Sequence, residues 1–248
     1  MNPRITFPLF LSLLLGLTAL AFAQRSAEEV LATIIDSQRG GQSMRGTITM
    51  AVTRPGQERV YEIEMVTDGD ERSFVQVVAP SRDAGQAFLQ DGDSLYLYNP
   101  RLRRTLRLPP SGQGDSFLGS DLSYNDLAGR DLETDYTAEI TNETADTVEL
   151  TLTPHPAAPN PYGRVVLVAD TETYAPRAYT FFDQRGQAVR QLTFDEFVAA
   201  GDLRFPTRFE VQNLLRSEER TVMVISDYAF NVDVPASCFT ERALERGC

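Results

Sequence analysis

The sequence has no lysine, a single histidine and only two cysteines in 248 residues. All 23 basic side chains are therefore arginines, set against 35 acidic ones for a formal net charge of −12. Such an excess of negative charge argues against nucleic acid or an anionic membrane surface as a strong partner. The lone histidine, His155, stands between Pro154 and Pro156 in a proline-rich loop. It has no neighbouring serine, cysteine or metal-ligand spacing, and so offers no catalytic dyad or triad. CxxC, HExxH, GxSxG and phosphate-loop patterns are all missing. Asp68-Gly-Asp70 and Asp91-Gly-Asp93 resemble fragments of calcium loops but lack the later ligands, and hairpin turns account for them. Glu62 and Glu64 alternate onto the polar side of their strand, away from any concave face. No catalytic group, metal site or cofactor is read from these patterns, and the expectation is a protein that is not an enzyme.

Only one long apolar run exists, at the beginning. Met1–Thr6 carries one arginine, Phe7–Leu20 is almost wholly apolar, and Ala21-Phe22-Ala23 closes it with small residues. This is the layout of a secretory signal peptide cleaved after Ala23; the alternative, a single membrane anchor, wants a longer core and a stop-transfer flank. The expectation is a single exported domain of residues 24–248.

Beyond residue 24 the chain is dominated by a period of two. After one helix, opened by the capping box Ser26-Ala-Glu-Glu29 and striped with Val30, Leu31, Ile34 and Ile35, the residues alternate between apolar and polar. Strands are expected near 47–52, 61–65, 73–78, 86–90, 94–98 and 102–108, and then near 136–141, 147–153, 163–169, 178–184, 188–197, 205–214 and 219–232. Turn sequences such as Arg54-Pro-Gly-Gln57, Asp91-Gly92 and Ala200-Gly-Asp202 separate them. Thirteen strands in sequential hairpins form an antiparallel meander, and so many strands in one sheet must curl. The first hairpin places Ile48, Met50, Val52, Tyr61, Ile63 and Met65 on one face.

Pro109–Asp131 interrupts the series. A Pro-Pro pair and a Gly/Ser/Asp run cannot continue a sheet; then Ser123, with Asp126 three residues on, can cap a short helix. Phe117, Leu118, Leu122, Tyr124 and Leu127 give this interlude an apolar face with something to cover. It is either a plug in a sheet or a lid over an apolar cavity. If the latter, Met50, Tyr61, Ile63, Met65, Leu106, Phe117, Leu118, Leu122, Tyr124 and Leu127 are the candidate lipid-binding residues. If the former, the same residues are a filled core, since a core and a cavity have the same composition. Arg104 falls in step with Leu102, Leu106 and Leu108, and would need a carboxylate if buried. Asp121 or Asp126 would then make it a latch for the lid. Cys238 and Cys248 bracket a short helical tail, either as a disulfide or as two independent thiols.

The strand Leu95-Tyr-Leu-Tyr-Asn-Pro-Arg-Leu-Arg-Arg104, followed by Asp115-Ser-Phe-Leu-Gly-Ser-Asp-Leu-Ser-Tyr-Asn-Asp-Leu127, resembles the signature of the outer membrane lipoprotein-sorting proteins, the LolA-like carriers. Leu118 stands where the family more often has Met. A weaker resemblance continues to Phe239-Thr-Glu-Arg242. It implies a half-open, strongly curved antiparallel β-barrel with a few helices capping its concave face. It also implies a carrier that takes acyl chains of lipoproteins or other lipids from an inner-membrane exporter of the RND or ABC type toward an outer-membrane acceptor. A second reading is an envelope-stress regulator, in which the same domain binds a signalling protein.

Overall fold

A computed structural model of the chain describes residues 25–39, 43–69, 72–124, 126, 131–156 and 161–248; the signal-peptide expectation for residues 1–23 lies outside them. Helix α1 (Ala27–Arg39) leads into six strands: β1 (Met44–Arg54), β2 (Gln57–Thr67), β3 (Arg72–Ala79), β4 (Ala87–Asp91), β5 (Ser94–Asn99) and β6 (Arg104–Arg107). The interlude holds α2 (Pro110–Gln113), a 3-10 turn (Phe117–Gly119) and α3 (Asp131–Thr134). Seven more strands complete the set: β7 (Tyr136–Glu143), β8 (Thr147–Pro154), β9 (Arg164–Asp170), β10 (Pro176–Phe182), β11 (Ala188–Ala200), β12 (Leu203–Asn213) and β13 (Arg220–Phe230). A 3-10 turn (Ala236–Phe239) and α4 (Glu241–Arg246) end the chain.

Local chemistry explains most of these boundaries. The box that opens α1 is reciprocal: the Glu29 N–H donates to Ser26 Oγ at 3.1 Å, and the Ser26 N–H donates to Glu29 Oε2 at 3.0 Å. The first hairpin pairs Ile48 with Ile63 and Met50 with Tyr61, which buries the alternate side chains of both strands together. Strand β6 is shorter than its leucines indicate. Arg103 adopts the left-handed conformation at φ 49°, so Leu102 and Arg103 belong to the turn and only four residues pair with β5.

All thirteen strands form one sheet in the order β6-β5-β4-β3-β2-β1-β13-β12-β11-β10-β9-β8-β7. Strand β1 pairs with β13, so the two halves of the meander join in the middle, while β6 and β7 end up at opposite edges. The sheet is not closed. Its curvature follows from what α1 touches: the helix packs on β12, β10 and the edge strand β7. From β12 to β7 a flat sheet would span roughly 24 Å at about 4.8 Å per strand. A helix is only about 10 Å wide. The sheet must wrap around it, and the outcome is the half-open antiparallel barrel.

Two apolar clusters fill this wrapped face. One gathers Met44, Ile48, Met50, Tyr61, Ile63, Phe205, Met223 and Ile225 with Phe117 and Leu122 of the interlude. The other packs Val30, Leu31, Ile34 and Ile35 of α1 on Leu150, Leu152, Leu167 and Tyr179. The C-terminal helix departs from the expectation that helices cap the concave face. Cys238, Phe239, Ala243 and Leu244 pack with Phe74, Ala87 and Leu89, whose neighbours in β3 and β4, Val75 and Phe88, point to the opposite side. Strand β4 is thus buried on both faces, which is why it is an unbroken buried run rather than an alternating one. Cys238 and Cys248 form a disulfide across this tail. Closing so short a loop contributes about 2–3 kcal/mol by restricting the unfolded chain. Cys248→Ser is expected to lower stability by that amount, and to raise hydrogen exchange in β3 and β4 before it does so in β8 and β9. Equal protection loss in both halves would show that the tail acts on the whole sheet.

Candidate functional site

Since β6 and β7 lie at opposite edges of an open sheet, the segment between them has to cross the gap. Of its described residues, 108–124, 126 and 131–135, Phe117, Leu122, Ser123, Asp126 and Leu132 face the concave side, and between them and the sheet lies a cavity of about 410 Å³. Close-packed interiors leave few voids larger than a water molecule, whereas sites for small ligands span about 300–1,000 Å³. Its walls are Met44, Ile48, Ile63, Met65, Val75, Phe205, Phe209, Met223 and Ile225 from the strands, Ile35 and Gln38 from α1, and Phe117, Leu122, Ser123 and Asp126 from the crossing segment. Leu192 and Phe194 of β11 sit where the two apolar clusters meet.

The crossing segment is tied down by its own backbone. Phe117 N–H donates to the Leu122 carbonyl at 2.7 Å, Tyr124 N–H to the Asp115 carbonyl at 3.2 Å, and Ser116 Oγ to the Ser120 carbonyl at 2.6 Å. Leu118 takes the left-handed conformation at φ 51° to close this knot. Phe117 is inserted edge-on against Phe88, with ring centroids 4.7 Å apart, and Tyr124 completes a three-ring cluster. Ser123 and Asp126 cap the next turn: the Asp126 N–H donates to Ser123 Oγ at 3.2 Å, and Ser123 donates from its N–H and its hydroxyl to Asp126 Oδ2 at 2.6 and 2.8 Å.

Among the described residues two arginines fasten the segment to the sheet, and neither is Arg104. Arg104 is exposed on the edge strand β6, because the turn at Arg103 shortens the strand and leaves its outer side open. Asp121 is held instead by Arg54, whose Nη1 lies 2.9 Å from Asp121 Oδ2 and whose Nη2 donates to the Gly119 carbonyl at 2.8 Å. Thr221 of β13 adds its hydroxyl, donating to Asp121 Oδ2 at 2.9 Å and accepting from the Asp121 N–H at 3.0 Å. Tyr61 donates its phenol hydrogen to the Leu118 carbonyl at 3.2 Å. Asp126 is held by Arg190, with Nη2 2.9 Å from Oδ2 and Nη1 3.2 Å from Oδ1. Arg190 is 9 % exposed; it also donates to Tyr162 Oη at 3.3 Å and lies over the Phe181 ring at 4.9 Å. Burial opposes its charge, but Asp126 and Tyr162 outweigh this, and its pKa stands above the ordinary arginine value.

Strand parity marks both arginines. Arg54 continues the inward series Ile48, Met50, Val52, and Arg190 precedes Leu192 and Phe194 on the inward face of β11. The turn signature Arg54-Pro-Gly-Gln57 masks the first of them, because it assigns Arg54 to the turn rather than to the strand.

The apolar residues expected at a lipid site divide three ways. Ile63, Met65, Phe117 and Leu122 line the cavity. Met50 and Tyr61 are buried behind it in the wall, and Leu118 and Tyr124 pack on the same cluster without lining it. Leu106 does not contribute, being 48 % exposed on β6, and Leu127 falls outside the described residues. His155 sits at the surface beside the Thr137 hydroxyl, 3.3 Å away. Among the described residues no three acidic, histidine or cysteine side chains are grouped as metal ligands, and no helix is long and apolar enough to cross a membrane.

A family model described as "Uncharacterized protein"-like matches residues 69–246. No curated protein matches the chain. Several crystal structures share its fold. One described as an outer membrane lipoprotein-sorting protein domain from Vibrio parahaemolyticus is 21% identical with a TM-score of 0.79, over 89% of this chain and 98% of that one. A DUF1329 family protein from Desulfovibrio piger is 19% identical with a TM-score of 0.78, over 89% and 100% of the two chains. A LolA superfamily protein from Nitrosomonas europaea is 22% identical with a TM-score of 0.73, over 88% and 99%.

Proposed function

We propose a lipid carrier, starting from the premise that the chain belongs to the "Uncharacterized protein"-like family matched over residues 69–246 and has the LolA-like fold. The observation that carries this reading is the cavity of about 410 Å³ between the curved sheet and the segment crossing its mouth. Its walls are mostly aliphatic, methionine and aromatic side chains, which suit flexible acyl chains without a fixed pattern of hydrogen bonds. Each methylene moved from water into such a lining gains about 0.8 kcal/mol, so a partly buried chain of ten carbons is held by several kcal/mol. The apolar lining and the LolA-like fold together support a binding protein rather than an enzyme. Exported after cleavage at Ala23, it would accept the acyl part of a lipoprotein, or another lipid, from an exporter in the inner membrane. It would then release that cargo to an acceptor in the outer membrane.

The test is native mass spectrometry of the processed protein purified from the periplasm, followed by organic extraction. The expected spectrum shows a mass above the apo chain that is lost on extraction and accompanied by an acylated protein or lipid in the solvent. Leu122→Asp, which puts a carboxylate on the cavity wall, is expected to give the apo mass alone. An apo mass for the parent protein, together with no uptake of added lipid, would remove the carrier reading.

A further inference from the structure

Asp126 and Arg190 meet across the cavity from different parts of the molecule, and they are not equally placed to part. Asp126 belongs to the crossing segment and keeps the N–H and hydroxyl of Ser123 as donors wherever that segment goes. Arg190 is fixed on β11, between Leu192 on its own strand and Phe181 on β10, and is 9 % exposed. Its Nε is buried and makes no hydrogen bond among the described residues. Its only anionic partner among them is Asp126. The other arginine of the cavity wall, Arg72, is paired with Asp68 of the adjoining turn and needs nothing from the crossing segment.

Cargo filling the cavity up to β11 would come between this pair. Arg190 would then keep the Tyr162 hydroxyl and the Phe181 ring but, among the described residues, no counter-ion. A guanidinium left uncompensated in such surroundings is among the most destabilising changes a protein can suffer, so loading would be opposed unless the cargo replaces the carboxylate. An acid group does so, and the two-pronged guanidinium matches a carboxylate or a phosphate equally well. On the carrier reading, therefore, we infer that the cargo is an anionic amphiphile whose acid group takes the place of Asp126 on Arg190.

The test uses four pyrene-labelled probes with the processed protein: pyrene-dodecanoate and its methyl ester, and a phosphatidic acid and a diacylglycerol carrying identical pyrene chains. The expected result is at least about a tenfold tighter Kd for the acidic member of one pair or both, the value of a charge-assisted hydrogen bond. The pair that shows the preference tells a carboxylate cargo from a phosphate one. Arg190→Gln is expected to bring acid and neutral probes to within about twofold of one another. Asp126→Asn, which removes the competing carboxylate but keeps the cap acceptor, is expected to widen the acid preference, and it carries the test if the arginine variant does not fold. Uptake of acidic and neutral probes with equal affinity, or an acid preference that neither substitution alters, would overturn this inference and leave the carrier reading standing. Failure of all four probes to bind would overturn both.

Discussion

Arg54→Ala is expected to melt about 5–10 °C below the parent protein and to bind and release a lipid probe faster. The reason lies in what the guanidinium holds. Asp121 is 8 % exposed at its side chain and Glu219 10 %, and both lie against Arg54, at 2.9 and 4.0 Å. Without the arginine, Asp121 keeps the Thr221 hydroxyl but loses its positive partner, whereas Glu219 keeps Arg216 at 3.0 Å. Breaking a buried pair from one side costs about 3–5 kcal/mol. Arg54 itself is 24 % exposed, so solvent compensates part of this and about 2–3 kcal/mol remains. For a chain of this length each kcal/mol moves Tm by about 2–4 °C. The Gly119 carbonyl loses its donor as well, which loosens the turn that inserts Phe117. Asp121→Asn, which keeps an acceptor for Thr221 and leaves Arg54 beside Glu219 and the Gly119 carbonyl, is expected to lose less than half as much. Calorimetry of the two variants and stopped-flow release of a fluorescent lipid check the pair. Equal stability of Arg54→Ala and the parent protein would mean that the aromatic insertion alone anchors the segment.

The second large effect separates a cavity from a core. Leu192→Trp adds a bulky ring at a half-buried position that lines the cavity between the two apolar clusters. In a filled interior the added volume would force strain of about 1–3 kcal/mol. Here it has space to enter, so the variant is expected to melt within a few degrees of the parent protein and to lose at least tenfold in lipid affinity. Leu150→Ala is the opposite case. Leu150 is fully buried under α1, and its loss is expected to cost about 2–5 kcal/mol with lipid affinity unchanged. The parent chain contains no tryptophan, so the introduced indole reports its own surroundings without background. A blue-shifted emission that changes on lipid addition is expected. A strongly destabilised Leu192→Trp would mean that the cavity closes up in solution.

Most of the strand order in sequence was legible because alternation and turn chemistry are local. Each of the thirteen expected strands overlaps one in the structure, and both capping boxes, at Ser26 and Ser123, close with the donors and acceptors their spacing implies. The sequence also marked residues 109–131 as foreign to the sheet. Local parity does not decide burial at an edge. Arg104 and Leu106 keep the face that alternation assigns them, since Leu106 pairs with Leu97 and Leu97 with Phe88, but β6 is the last strand of the sheet and both side chains stay exposed there.

By itself, then, the sequence determined the strands, the helix that opens them, the turns and the resemblance to a lipoprotein-sorting fold, since each depends on neighbours a few residues apart. Only the tertiary structure decided that β1 meets β13, that β6 and β7 are left at opposite edges, and that the segment between them must bridge the mouth. Those decisions brought Arg54 to Asp121 across 67 residues, Arg190 to Asp126 across 64, and Thr221 to Asp121 across 100. They also chose which apolar face is packed solid and which encloses a space. Residue types carry the energy of leaving water, which is the same for a core and for a cavity wall; whether anything fills the gap is set by geometry alone.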